Sequence, residues 1–246
     1  MLMVMPKIQK DLKRLQAKGY PVKNVLELIA NDAAADTIVY TSPEFQPCSE
    51  TFSDKYAFVG PILRPEEQAV EKKREKLVYI SMGTVNNDML PLYRNCIQAL
   101  DAAEWQVIMS VGSRVDRSAF GELPENVEVY SSVDQIAVLE KADAFLTHCG
   151  MNSVSEALYF GVPLLMLPKT REQEGVAERV RQLGAGILLE KTSPEEIRSL
   201  MNTLLRDPSY KMKAGEIASG FRRCGGAAAA ADKIEECCKS KIENCP

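Results

Sequence analysis

The sequence predicts an α/β fold built on a doubly wound parallel sheet, and three observations carry that prediction. Six short apolar runs recur at 77–80, 106–109, 127–130, 144–147, 164–167 and 186–189. Continuous apolar runs suit strands buried on both faces. Helical patterns lie between most of them, at 90–103, 135–141, 153–160 and 172–183. Regular alternation of strand and helix is what a Rossmann-like sheet requires. Composition agrees: the 246 residues are 46% hydrophobic and 26% charged, ordinary values for a folded chain of one large domain, or of one domain plus part of another.

The elements before the alternation read differently. A helix is expected over 7–18, stopped by Gly19 and Pro21, and a second near 22–30. Residues 36–40 (DTIVY) are rich in β-branched side chains and predict a short strand. Residues 41–56 carry Pro43 and Pro47 with little periodicity and predict a loop, and Phe58-Val59-Gly60-Pro61 ends the region. Residues 64–76 hold nine charged side chains and no aromatic, which predicts a solvated linker or an exposed helix at a domain boundary. The expected organisation is therefore 1–63, a linker at 64–76, and a large unit at 77–246. Beyond the sixth strand, Ser193-Pro194-Glu195-Glu196 forms a capping box with proline at the first helical position, opening a helix to about residue 205. Two further helices close the chain.

Composition also excludes functions. A net charge of −4 argues against a general nucleic-acid binder. No apolar run approaches the roughly 18 residues that span a bilayer, and the opening Met1-Leu2-Met3-Val4-Met5 is too short for a signal-peptide core. A cytoplasmic location is the expectation. Seven cysteines contain no C-x-x-C pair and only one histidine exists, so no metal site is expected. Reduced thiols are the natural state.

In an open parallel sheet, ligands bind beyond the carboxyl ends of the strands. After the first core strand comes Ser81-Met82-Gly83-Thr84, where a glycine permits close approach and two hydroxyls offer donors. Neither the dinucleotide glycine fingerprint nor the P-loop pattern is present. After the fourth comes His148-Cys149-Gly150-Met151-Asn152, with a helix expected from Ser153. A helix N-terminus with its free amides and positive dipole end attracts anions, so His148, Asn152 and Ser153 form a candidate phosphate site. The same residues admit another reading, in which Ser153 caps the helix and Glu156 reaches back in a capping box. The two are partly compatible. Past the fifth strand, Glu172 and Gln173 could bond sugar hydroxyls or simply favour the helix dipole.

Taken together, residues 133–180 resemble the donor-binding signature of UDP-dependent glycosyltransferases of the GT-B fold, the macrolide and secondary-metabolite type. The matching pieces are Asp134-Gln135 with the apolar residues after them, Phe145-Leu146-Thr147-His148-Cys149-Gly150-Met151-Asn152-Ser153, Glu156 through Gly161-Val162-Pro163, and Glu172-Gln173. Residues 79–84 resemble the first strand and loop of that donor domain, and residues 41–47 and 58–63 the end of its acceptor domain. The resemblance implies that the chain is the C-terminal half of a GT-B enzyme, that 77–246 binds the donor, and that 1–63 is the last part of the acceptor domain.

It further implies roles. His148, Asn152 and Ser153 would bind the diphosphate, with Gly150 allowing close approach and Thr84 nearby. Glu156 would take the ribose hydroxyls, Val133 and Gln135 the uracil and ribose region, and Glu172 and Gln173 the transferred sugar. The donor would be a UDP-sugar, with no further cofactor. Two positions depart from the family: Ser132 stands where plant members carry a tryptophan, and Val176 where asparagine is common. The family's catalytic base is a histidine early in the acceptor domain, and no histidine precedes His148. No catalytic residue is therefore assigned. The chain is expected to be inactive alone, with an exposed face that self-associates or meets a partner chain carrying the acceptor domain. A donor-binding subunit of a split enzyme and a non-catalytic nucleotide-binding relic are the alternatives.

Overall fold

A computed structural model describes residues 5–20, 22–24, 36–65, 69–83, 89–101 and 104–243. The second helix expected near 22–30 falls mostly outside them, as does Thr84. The chain opens with α1 (Met5–Ala17), then β1 (Thr37–Val39) and β2 (Tyr56–Phe58), which pair in parallel with Thr37 opposite Tyr56. The strand β2 was not anticipated. Three residues are too few to leave a periodic signal, and the pairing with β1 makes them a strand.

The large sheet follows the expected alternation: β3 (Leu77–Ser81), α2 (Leu90–Leu100), β4 (Gln106–Ser110), β5 (Val127–Tyr130), α3 (Gln135–Lys141), β6 (Ala144–Thr147), α4 (Met151–Tyr159), β7 (Leu164–Met166), α5 (Arg171–Gln182) and β8 (Gly186–Leu188). Three helices close the chain, α6 (Pro194–Arg206), α7 (Pro208–Arg223) and α8 (Gly226–Glu243). The order across the sheet is β5-β4-β3-β6-β7-β8, all parallel. Counted from β3 this is the 3-2-1-4-5-6 order of the doubly wound fold. The chain winds outward from β3 to one edge, returns beside β3 at β6, and winds to the other. The switch point lies between β3 and β6, which run side by side with Ser81 opposite Thr147.

Burial explains why the central strands β3, β6 and β7 read as apolar runs. Leu77 and Tyr79 face one layer with Phe145, Val154, Leu158, Val180 and Phe221, while Val78 and Ile80 face the other with Tyr93, Met109, Met201 and Leu204. Each such side chain is worth about 1.5–3 kcal/mol when fully buried, so both layers anchor the strand ends that form the site.

The charged stretch takes the extended of its two expected forms. Residues 69–76 lie along the amino ends of the strands, not in a helix. Asp143 accepts from Lys72 at 2.6 Å and from the Leu77 amide at 2.9 Å, and Lys73 pairs with Glu128 at 2.9 Å. The Gln106 side chain, 2% exposed as a residue, accepts from the Lys73 amide at 2.8 Å. The charges therefore fasten a strap to the sheet. The opening segment is tied to the C-terminal helices: Arg179 donates to the carbonyls of Phe45 and Glu44, Arg223 pairs with Glu44, and the Gly226 amide donates to Val59 O.

Candidate functional site

At the carboxyl end of the sheet, over the switch point, lies a cavity of about 990 Å³. Its centre is His148, one residue past β6. The loop there is tightly wound, with Cys149 buried in the left-handed region at φ 66° and its amide donating to Thr147 Oγ1 at 3.2 Å. The imidazole is cradled between two glycines. A Cβ at Gly83, which itself has φ 81°, would come within 2.6 Å of His148 Cε1, and a Cβ at Gly150 within 2.8 Å of Nε2. Real Cβ atoms do not approach that closely, so only glycine at both positions leaves room for the ring. His148 Nδ1 is buried with no hydrogen-bond partner. Burial, and then the charge of Lys169, lower the His148 pKa, with Glu172 acting weakly the other way.

Directly after His148, α4 begins at Met151 with Gly150 as its cap in extended conformation, and no side chain caps its amides. This corrects the expected start at Ser153 and removes the capping-box reading. Ser153 sits inside the first turn, and its hydroxyl accepts from Gln135 Nε2 at 3.2 Å. Glu156 likewise meets Gln135 Nε2, at 2.5 Å, instead of reaching back to the helix start. A glycine cap can hold the required extended conformation three residues before the first serine, and that is what the sequence pattern hid. The uncapped amides and the dipole point into the cavity beside His148, an arrangement that attracts an anion.

Gln135 is the first residue of α3, whose cap Asp134 accepts from the amides of Ile136 and Ala137. Its own amide oxygen accepts from Tyr79 Oη at 3.2 Å. Across the cavity, Thr170 caps α5 by accepting from the Gln173 amide, and Gln173 Oε1 accepts from the Lys169 amide at 2.9 Å. The dipole-favoured helix start expected there is present, and Glu172 and Gln173 also line the cavity.

The structure thus brings Val133, Gln135, His148, Gly150, Asn152, Ser153, Glu156, Glu172 and Gln173 to one cavity. Sequence reasoning missed Arg64, Ser110, Gly112, Ser113, Ser131 and Lys169, which also line it. Ser110 and Gly112 follow β4 as Ser81 and Gly83 follow β3, so the rule about strand ends could have found them. Arg64 gave no signal, because it arrives from ahead of the strap. Among the described residues no group of His, Cys, Asp and Glu is placed to hold a metal ion, and no helix is long and apolar enough to cross a membrane.

Comparison with known proteins bears on the family and the fold. Residues 94–225 match the family described as "Erythromycin biosynthesis protein CIII-like, C-terminal domain". The NDP-glycosyltransferase YjiC of Bacillus subtilis is 38% identical over 227 residues, 90% of this chain and 57% of that protein. The NDP-glycosyltransferase YjiC of Bacillus licheniformis is 37% identical over 206 residues, 80% of this chain and 52% of that protein. The calicheamicin glycosyltransferase CalG4 superposes with a TM-score of 0.81 at 33% identity, over 93% of this chain and 58% of that one. The chain spans about half the length of the curated relatives it matches. The chain belongs to the erythromycin biosynthesis protein CIII-like C-terminal domain family, a glycosyltransferase family, and has its GT-B type of Rossmann-like fold.

Proposed function

We propose that the switch-point cavity binds a UDP-sugar and that the chain is the donor half of a glycosyltransferase moving a hexose to a small hydroxylated acceptor. The observation that carries this reading is the uncapped N-terminus of α4 beside a histidine held between two glycines. A departing nucleoside diphosphate gains negative charge as the glycosidic bond breaks. Preorganised donors aimed at it stabilise the transition state more than the ground state. The amides of α4, Asn152 and the His148 imidazole meet the diphosphate, with Gly150 allowing its approach. Ser153 stands beside them. Val133 and Gln135 face the base and ribose, and Glu156 accepts from the ribose hydroxyls. Glu172 and Gln173 meet the sugar. Thr84 is proposed near the phosphates on the family resemblance alone.

Turnover also needs a base to take the acceptor's hydroxyl proton. His148 is the only histidine, and the reading gives it to the diphosphate, so these 246 residues alone are expected to bind donor with negligible transfer. The acceptor part comes either from further chain or from a partner chain. A cytoplasmic setting suits the free thiols of Cys96 and Cys149.

The test is calorimetric titration with UDP, with UMP, TDP and NAD as comparators. Selective UDP binding is expected, weakened in His148→Ala by about 1–3 kcal/mol, the scale of a hydrogen bond to a charged group. No nucleotide binding, or an unchanged UDP affinity in the variant, would remove the reading.

A further inference from the structure

Tyr79 lies at the floor of the donor cavity and has no role in the reading above. The residue is 1% exposed, and its ring stacks on Phe145 with centroids 4.7 Å apart and planes 18° apart, which fixes the direction of its hydroxyl. The hydroxyl donates to Gln135 Oε1 at 3.2 Å. Burial pushes the phenol up to about 12, so it remains a donor throughout the neutral range.

That bond, together with the Glu156 carboxylate, fixes which way the Gln135 amide faces. The two ends of a glutamine amide are nearly the same shape, and the hydrogen-bond network alone chooses between them. With its oxygen held by a donor, the amide turns its nitrogen the other way. Both protons are then used, one toward Ser153 Oγ at 3.2 Å and one toward Glu156 Oε2 at 2.5 Å. If the amide flipped, its oxygen would face the Glu156 carboxylate, acceptor against acceptor. Glu156 would then swing away from its present direction.

We infer that Tyr79 is a positioning residue for nucleoside recognition: through Gln135 it holds Glu156 where the carboxylate receives the ribose hydroxyls, and so makes the cavity select ribonucleoside over 2′-deoxyribonucleoside diphosphates. The inference rests on the assignment of Glu156 to the ribose. Arg64 also lines the cavity and acts on Tyr79 through its charge, but it belongs to no link in the relay. Selectivity of this kind follows from a general asymmetry: a site built to bond a hydroxyl leaves a buried polar group unpaired when that hydroxyl is missing.

The experiment uses the whole chain and Tyr79→Phe, which removes one oxygen and keeps the ring on Phe145. Each protein is titrated with UDP and with 2′-deoxy-UDP, and thermal midpoints are recorded alongside. UDP affinity is expected to fall about fivefold in the variant, the effect of losing one hydrogen bond. The 2′-deoxy-UDP affinity, with only the 3′-hydroxyl left to meet Glu156, is expected to fall less, so that the preference for ribose shrinks. A parallel loss for both nucleotides, with or without a drop in midpoint, would mean that the tyrosine is merely structural and would overturn the inference. So would two unchanged affinities. Wild-type chain that binds neither nucleotide would bring down the donor-site reading itself, whereas wild-type binding with a variant that keeps the full ribose preference overturns only the role of Tyr79.

Discussion

At His148 the sequence and the geometry constrain each other closely. The ring occupies space that a Cβ at Gly83 or Gly150 would take, so this imidazole and these two glycines belong together. Enclosure has an electrostatic consequence. Burial, followed by the nearby Lys169, lowers the pKa below the ordinary histidine value of 6.5. As pH falls through about 6.5, the unfolded chain takes up a proton that the folded chain resists, so the unfolded state gains. The loss of stability grows until pH passes the folded value and then stops growing. The nucleotide-free chain is therefore expected to show a thermal midpoint that falls more steeply between pH 7 and pH 5 than that of His148→Asn. Carboxylates titrating in the same window affect both proteins alike, so the difference between the slopes isolates the imidazole. Superimposable slopes would show that the ring is not held neutral by its surroundings.

At the scale of elements, the strap shows how a charged stretch becomes structure. Burial alone would raise the Asp143 carboxyl, but Lys72, the Leu77 amide and Lys76 together hold it below the usual carboxylate range. A depressed carboxylate stabilises the fold above its unfolded pKa, and the contribution is lost as pH falls through the lower folded value. Asp143→Ala leaves the amide of fully buried Leu77 without its side-chain acceptor. The expected cost is about 1–3 kcal/mol, measured by urea unfolding at pH 7. It should shrink in strong acid, where the wild-type carboxyl is protonated and loses its attraction for Lys72 and Lys76 but can still accept from the amide. A cost that persisted undiminished in acid would mean that packing, not charge, fastens the strap. From sequence the nine charges were legible but their partners were not, because Asp143, Gln106 and Glu128 lie 33 to 71 residues away along the chain. The start of α4 was misread for the opposite reason. A plausible local signal at Ser153 and Glu156 pointed to a capping box, while both side chains were committed to Gln135 on another helix.

Across the whole molecule, the core strands were legible because β3, β6 and β7 are buried at every position and read as apolar runs, while β5 is less buried at Glu128 and Tyr130 than at Val127 and Val129. Their order was legible only as a class, since which strands become neighbours depends on packing that no local pattern records. The loops after β3, β6 and β7 pointed to the cavity because they carry glycine, histidine and paired polar residues. The serines after β4 and β5 and Arg64 carry no such mark. The face beside the cavity has a consequence for association. Tyr40 is 58% and Ile62 46% exposed, and both border a hollow of about 640 Å³ with Pro61, Leu63 and Met151. Large apolar side chains gathered at one exposed place favour contact with another surface. The chain is therefore expected to self-associate as its concentration rises, read by light scattering, and Tyr40→Ser with Ile62→Asp should suppress the effect. A clean monomer over a wide concentration range would refute it. Ile62, Met151, Asn152 and Glu156 line both this hollow and the donor cavity. Contact across the hollow should therefore crowd the cavity mouth, so UDP affinity should weaken as self-association grows and recover in the double variant.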